Sequence, residues 1–171
     1  GNPHYWLDPV NAKIMADNIA SSFARIFPER ANQFHTRAQV FAGRIDVKLA
    51  EWEKTLAPWR GEAIVAYHRS WPYFTERFGL KVIDHLEPRP GIPPTAKHLA
   101  ELINRMGEED VSIIVREPHH ETRTPKKIAG ATGAEVVTLT QFVGGVPKAE
   151  DYISMIDHNV NQLVSVLSEG K

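Results

Sequence analysis

The chain of 171 residues carries 20 Lys and Arg against 21 Asp and Glu, for a formal net charge of -1, with 42% hydrophobic and 24% charged residues. That balance excludes a disordered or fibrous chain and any global field steering the protein onto nucleic acid or an anionic membrane. The absence of cysteine removes disulfides, thiolate metal sites, iron–sulfur clusters and cysteine nucleophiles together.

The length suits one well-buried domain, or one lobe plus an appendage of something larger. Aliphatic runs such as 111–115, interrupted by Ser112, fall far short of the roughly 20 residues of a membrane-spanning helix. The opening stretch Gly1-Asn2-Pro3-His4-Tyr5-Trp6-Leu7-Asp8-Pro9 reads like the middle of a protein. Its prolines and aromatic pair call for a packed environment, whereas a free terminus frays. The expectation is a piece of a longer chain.

After it, Ile14, Met15, Ile19, Phe23 and Ile26 recur at helical steps, with Asp8 as N-cap and Pro9 at the first helical position. Phe27-Pro28 breaks this helix. A second runs from about Glu29 to Leu56, with Phe34, Ala38, Phe41, Ile45, Leu49 and Trp52 on one stripe. At 1.5 Å per residue it is about 40 Å long, more than a small domain needs, and long enough for a strut. From Glu62 onward the chain alternates short β-branched runs at 63–67, 80–83, 111–115 and 135–139 with helical segments at 71–78, 95–106 and 124–132, the last stopped by Gly133. A final helix spans about 149–167. The fold class is α/β: a long linker helix and a C-terminal lobe holding a four-stranded, mainly parallel sheet flanked by helices. The division is 1–28 as a boundary segment and first helix, 29–60 as the long linking helix, and 61–171 as the α/β lobe.

Ligands of open parallel sheets sit beyond the carboxyl ends of the strands, which selects the loops 67–70, 86–94, 116–121 and 140–145. His68 ends the first run, where a neutral imidazole can accept a metal, though bonding to loop backbone explains it equally well. His4 sits in the proline-locked aromatic segment, where packing is the simpler role for an isolated motif. In Glu117-Pro118-His119-His120-Glu121, imidazoles and carboxylates together suit zinc. Adjacent histidines in an extended loop diverge, however, so at most one joins a given site, and solvated loop residues are the plainer account. Glu87, after the second run, reads as a ligand, a surface charge or the carboxylate that takes the other N–H of a ligating histidine, and the last fits best. Gly144-Gly145 reads as a turn. Nucleophile elbows, phosphate loops, H-E-x-x-H helices and dinucleotide fingerprints are all missing from the sequence.

Four features together resemble the metal-specific solute-binding proteins of bacterial zinc and manganese ABC transporters, the cluster A-I or cluster 9 binding proteins. They are 3–9 with Asn11-Ala12; Tyr67-His68 leading to Tyr73-Phe74 and Phe78-Gly79-Leu80; Pro90-Gly91-Ile92-Pro93-Pro94; and 131–137 leading to Asp151-Tyr152 and Asn159. The 64-residue interval between His4 and His68 is the one expected between successive ligands of that family. The resemblance implies a two-lobed binder with the metal between the lobes, residues 29–56 as the joining helix, and His4 and His68 as metal ligands. Glu87, Glu117 and His120 are then candidates for orienting a ligand or adding one.

The same resemblance implies zinc, with manganese as the other ion, an ABC permease as partner, and a periplasmic or lipid-anchored location. It implies neither catalysis nor nucleic-acid binding. It also implies an N-terminal lobe of roughly a hundred residues before His4 bearing a further histidine. Exposure of the uncovered lobe face would drive self-association. Many relatives place a carboxylate after the fourth strand, where this chain reads Leu139-Thr140-Gln141-Phe142. The fourth position is then water, Glu117 or a group outside the chain, and zinc tolerates three histidines plus water better than manganese does. Two rival readings stay open: a metal-dependent α/β hydrolase or transferase with His68 and either Glu117 or His120 around a catalytic ion and Glu87 as base, and an adhesin-like interaction domain with structural histidines.

Overall fold

The computed structural model describes residues 1–169. A 3-10 turn at Tyr5–Leu7 leads into α1 (Pro9–Ile26), a second such turn at Pro28–Arg30 into α2 (Ala31–Leu56), and a third follows at Ala57–Trp59. Then come β1 (Ala63–Ala66), α3 (Pro72–Phe78), β2 (Lys81–His85), α4 (Ala96–Glu108), β3 (Ile113–Arg116), α5 (Arg123–Thr132), β4 (Glu135–Thr138) and α6 (Tyr152–Glu169). The helix expected from about Glu29 thus starts in a 3-10 turn at Pro28–Arg30, and α2 proper begins at Ala31. The run at 111–115 pairs only from Ile113, and the last helix begins at Tyr152, three residues later than its apolar pattern.

The four strands are parallel throughout, in the order β2-β1-β3-β4. Side chains alternate across them. Ile64, Ala66, Ile113, Val115 and Val137 pack on one face against Trp52 and Leu56 of α2, Phe74 and Phe78 of α3, and Ile156, Val160 and Leu163 of α6. Val65, Tyr67 and Ile114 pack on the other against Leu102 and Met106 of α4 and Ile128 of α5. Strands covered on both faces explain the near-continuous apolar runs. Because α3 lies on one face while α4 and α5 lie on the other, the connections that leave neighbouring β1 and β3 diverge, opening a crevice beyond their carboxyl ends.

Asp8 caps α1 by accepting from the Val10 amide at 2.9 Å, and Arg77 of α3 clamps both its oxygens at 2.8 and 3.0 Å. The Trp6 indole donates to the Gln141 carbonyl at 2.9 Å and the Tyr152 hydroxyl donates to the Trp6 carbonyl at 2.7 Å. Residues 1–8 are thereby fastened to the lobe beside the crevice. Trp52 Nε1 donates to Asp157 at 2.7 Å, tying α2 to α6. Gly79, at φ 76°, ends α3 in the left-handed conformation that glycine tolerates best.

The apolar stripe of α1 faces outward. Ala12 and Ala20 are buried, whereas Ile14 is 55% exposed, Ile19 53% and Ile26 65%. Alanines about two turns apart on one face let two helices approach closely, so the small-residue face packs on α2 and the periodic large residues are left outside. Among the described residues, no helix is long and apolar enough to cross a membrane.

Candidate metal centre

The crevice collects imidazoles from three parts of the chain. The proline-started segment turns at Tyr5–Leu7 and presents His4, the loop after β1 presents His68, and the loop after β3 presents His120. The His4 and His68 ring centres lie 5.8 Å apart, nearly perpendicular at 81°. His68 and His120 are also 5.8 Å apart, at 34°. Two rings that bind one zinc ion through nitrogens at about 2.0–2.1 Å have centres roughly 5–6 Å apart, so both pairs have a compatible spacing. Among the described residues no three His, Asp or Glu side chains already converge on one ion.

Each ring has an oxygen behind it. His4 Nδ1 lies 3.0 Å from Asn2 Oδ1, which also accepts from the His4 amide at 2.9 Å. Asn2 in turn donates to the Arg69 carbonyl at 2.6 Å, joining the first segment to the loop that carries His68. His68 Nδ1 lies 2.6 Å from Glu87 Oε2, a residue just past β2 whose amide continues the ladder by donating to Tyr67 at 3.0 Å. His120 Nε2 lies 3.4 Å from Glu117 Oε2. An N–H directed at an acceptor fixes the tautomer and leaves the opposite nitrogen with its lone pair free, which for His4 and His68 is Nε2.

Burial and the neighbouring His68 push the His4 imidazole below the ordinary histidine range. Burial and the neighbouring His119 do the same for His120. Both rings are therefore neutral at pH 7, the state in which imidazole binds metals. Burial raises the Glu117 carboxyl, which is wholly enclosed. Its Oε1 accepts from Trp71 Nε1 at 2.9 Å, so it lies behind His120.

Residues 117–120 form a turn instead of the extended loop expected. Arg116 Nη1 donates to the carbonyls of Glu117 at 2.9 Å and His120 at 2.7 Å, and the His120 amide donates to Glu117 at 3.1 Å. Proline at the second turn position presets the bend. The histidines still part company: His120 stacks on Tyr67 at 4.2 Å with its side chain only 16% exposed, while His119 is exposed. Glu121 leaves the cluster altogether, because its carboxylate accepts from the Thr124 and Arg123 amides at the start of α5. The Gln141 side-chain oxygen is buried, and its carbonyl holds Trp6. The residue that sequence reasoning missed is Asn2; its separation of two from His4 in a proline-bent segment was the available signal.

A family model described as "ZnuA: Zinc-uptake complex component A periplasmic" matches residues 1–166. The chain is 26% identical over 167 residues to the high-affinity zinc uptake system protein ZnuA of Brucella suis biovar 1 (strain 1330), a match covering 97% of this chain and 50% of that protein. A solved structure described as that of ZnuA is similar with a TM-score of 0.86 at 25% identity, over 97% of this chain and 62% of that one. The laminin-binding protein Lmb of Streptococcus agalactiae, described as a bifunctional protein with adhesin and metal transporting activity, is similar with a TM-score of 0.86 at 26% identity, over 97% of this chain and 64% of that one. The chain spans about half the length of the curated relatives it matches.

Proposed function

This chain belongs to the family of the periplasmic zinc-uptake complex component A, and from that premise we propose that it is part of an extracytoplasmic binding protein that takes zinc as cargo and hands it to an ABC permease. Residues 61–171 act as a metal-holding lobe, residues 29–60 as a connecting helix, and residues 1–28 as the boundary segment that carries the first ligand. The ligands are His4 and His68, each through Nε2, and Glu87 and Asn2 orient them.

The observation that carries this reading is the pairing of the two rings at 5.8 Å with an oxygen against Nδ1 of each. Neutral nitrogen donors favour zinc, while manganese prefers oxygen. The Glu87 carboxylate behind His68 offsets part of the ion's charge in a half-buried crevice and makes the imidazole a better donor. The protein performs no chemistry on the ion. Delivery needs only that the permease favour a form in which one ligand is withdrawn, since a partner shifts an equilibrium by its differential affinity for the two forms.

Calorimetric titration of zinc into the protein and into His4→Ala and His68→Ala tests the reading. Each variant should lose more than about a hundredfold in affinity, beyond the 10–100-fold expected for losing an orienting partner. Unchanged affinity in both would overturn it.

A further inference from the structure

We infer that Trp6 is the positioning residue for His4, keeping that imidazole at its distance from His68, and that the loop after β4 serves the metal centre as the anchor of Trp6. The inference rests on the reading of His4 and His68 as ligands and adds what holds the first of them in place.

His4 and Trp6 belong to one unit. The Leu7 amide donates to the His4 carbonyl at 3.2 Å, closing the turn at Tyr5–Leu7, and the His4 and Trp6 rings lie 5.3 Å apart at 52°. Whatever moves Trp6 therefore moves His4. Trp6 is held at two points: its indole N–H donates to the Gln141 carbonyl at 2.9 Å, and its own carbonyl accepts from the Tyr152 hydroxyl at 2.7 Å. Its half-buried ring also packs against the core on the sheet face covered by α2, α3 and α6.

Both anchors trace to α6. Tyr152 is the first residue of that helix, and its ring meets Phe41 of α2 edge-on at 5.9 Å. Two turns further on, the wholly buried Asn159 side chain accepts from the Thr140 amide and donates to the Thr140 carbonyl, each at 2.8 Å. The Thr140 hydroxyl in turn donates to the Phe142 carbonyl at 2.9 Å and accepts from the Phe142 amide at 3.2 Å. A Cβ on Gly145 would collide with that hydroxyl, so glycine there lets the loop close on Thr140. Gln141 sits between two residues fixed in this way, and the carbonyl it offers Trp6 is preset. Breaking the Asn159 clamp would strand buried polar groups away from water, which makes it stiff.

A ligand already held in place loses little conformational freedom when the ion arrives, whereas a mobile one gives up affinity to become ordered. The two hydrogen bonds of Trp6 supply that order for His4 from the α6 side, as Asn2 does from the side of Arg69. A loop that carries no carboxylate at 139–142 thus still takes part in the site.

The test compares zinc affinity, by calorimetry, in the parent protein, in Trp6→Phe, which keeps an aromatic ring without the N–H, and in Tyr152→Phe, which removes only the hydroxyl. Each variant should lose about tenfold, the lower end of what a contact supporting a ligand contributes. Trp52→Phe controls for stability alone, since it also loses an indole hydrogen bond, the one to Asp157 between α2 and α6. It should bind zinc as the parent does. Fluorescence gives a signature that a merely structural role would not move. Zinc should change the indole emission of the parent and of Tyr152→Phe, in the latter at correspondingly higher zinc, and the change should be largely lost in Trp6→Phe.

Parent affinity in either Trp6→Phe or Tyr152→Phe overturns the inference. An equal loss in Trp52→Phe also overturns it, by assigning the effect to general destabilisation, as does a zinc-induced emission change in Trp6→Phe as large as the parent's. Zinc affinity indifferent to His4→Ala defeats the underlying site instead, an outcome distinct from all of these.

Discussion

His68 Nδ1 and Glu87 Oε2, nineteen residues apart in sequence, meet at 2.6 Å, with both side chains largely shielded from water. The contact joins the loop after β1, which carries His68, to the loop after β2. A carboxylate in this position both aims the ring and enriches its lone pair. Glu87→Gln keeps an acceptor but removes the charge, so zinc affinity should fall by about tenfold, and Glu87→Ala should cost more, up to about a hundredfold. Competition titration against a chelator of known affinity measures both.

Asn2→Ala is expected to weaken zinc binding without unfolding the protein. Asn2 accepts from the His4 amide, lies against its Nδ1 and donates to the Arg69 carbonyl, so its loss frees the first segment from the loop after β1. Affinity should drop by about tenfold while the thermal midpoint moves by only a few degrees, the effect of about 1 kcal/mol in a domain of this size. Paired calorimetric and thermal-melt measurements check it.

Zinc affinity depends on pH in a direction set by the lowered His4 imidazole. Protons compete for the same lone pair, and burial with the neighbouring His68 holds that pKa below the usual 6.5. Affinity should therefore fall as the pH drops through about 6 to 5, where protons take the imidazole lone pairs that would hold the ion. Titrations at pH 7.5, 6.5, 5.5 and 5.0 should show the loss concentrated at the acidic end. Affinity indifferent to acidification over the whole range would count against histidine ligation.

His85 gives a separate effect on stability. Burial first, then the nearby Arg69 charge, lower its pKa to about 4. The unfolded chain binds this proton near pH 6.5 and the folded one only near 4, so stability is full above 6.5 and declines as pH falls toward 4. His85 keeps some solvent contact, so the loss is of order 1–2 kcal/mol. Urea unfolding of the parent protein and of His85→Gln should show a shallower acid loss in the variant.

The outward face of α1 gives a fifth expectation. Ile14, Ile19, Phe23 and Ile26 are all more than two-fifths exposed along one helix, an apolar stripe of the kind that marks an interaction surface. The 171-residue chain should self-associate with rising concentration, and Ile19→Glu should reduce that association. Sedimentation velocity giving a single monomeric species at all concentrations would contradict it.

Much of the fold was legible because its signals are local. Asp8-Pro9 announces the start of α1, Gly133 the end of α5, and β-branched runs the strands, since each reflects capping, backbone freedom or burial on both faces. Of the candidate site, the approach of His4 to His68 was expected through a resemblance, and the contact of Glu87 with His68 through the acceptor that an imidazole N–H needs. Asn2 was not, because its role depends on the Arg69 carbonyl sixty-seven residues away. Nor was the stacking of His120 on Tyr67, which depends on Arg116 folding its own loop into a turn. The outward stripe of α1 misled for a related reason: periodicity finds an apolar face without saying which neighbour covers it.

The central claim is that His4 and His68 hold one ion between them. A crystal structure of the zinc-loaded protein with anomalous data collected on both sides of the zinc edge tests it most directly. The account predicts one strong anomalous peak between the two rings, at about 2.0–2.1 Å from Nε2 of each. A peak on only one ring, or zinc bound elsewhere with those nitrogens bare, would contradict it.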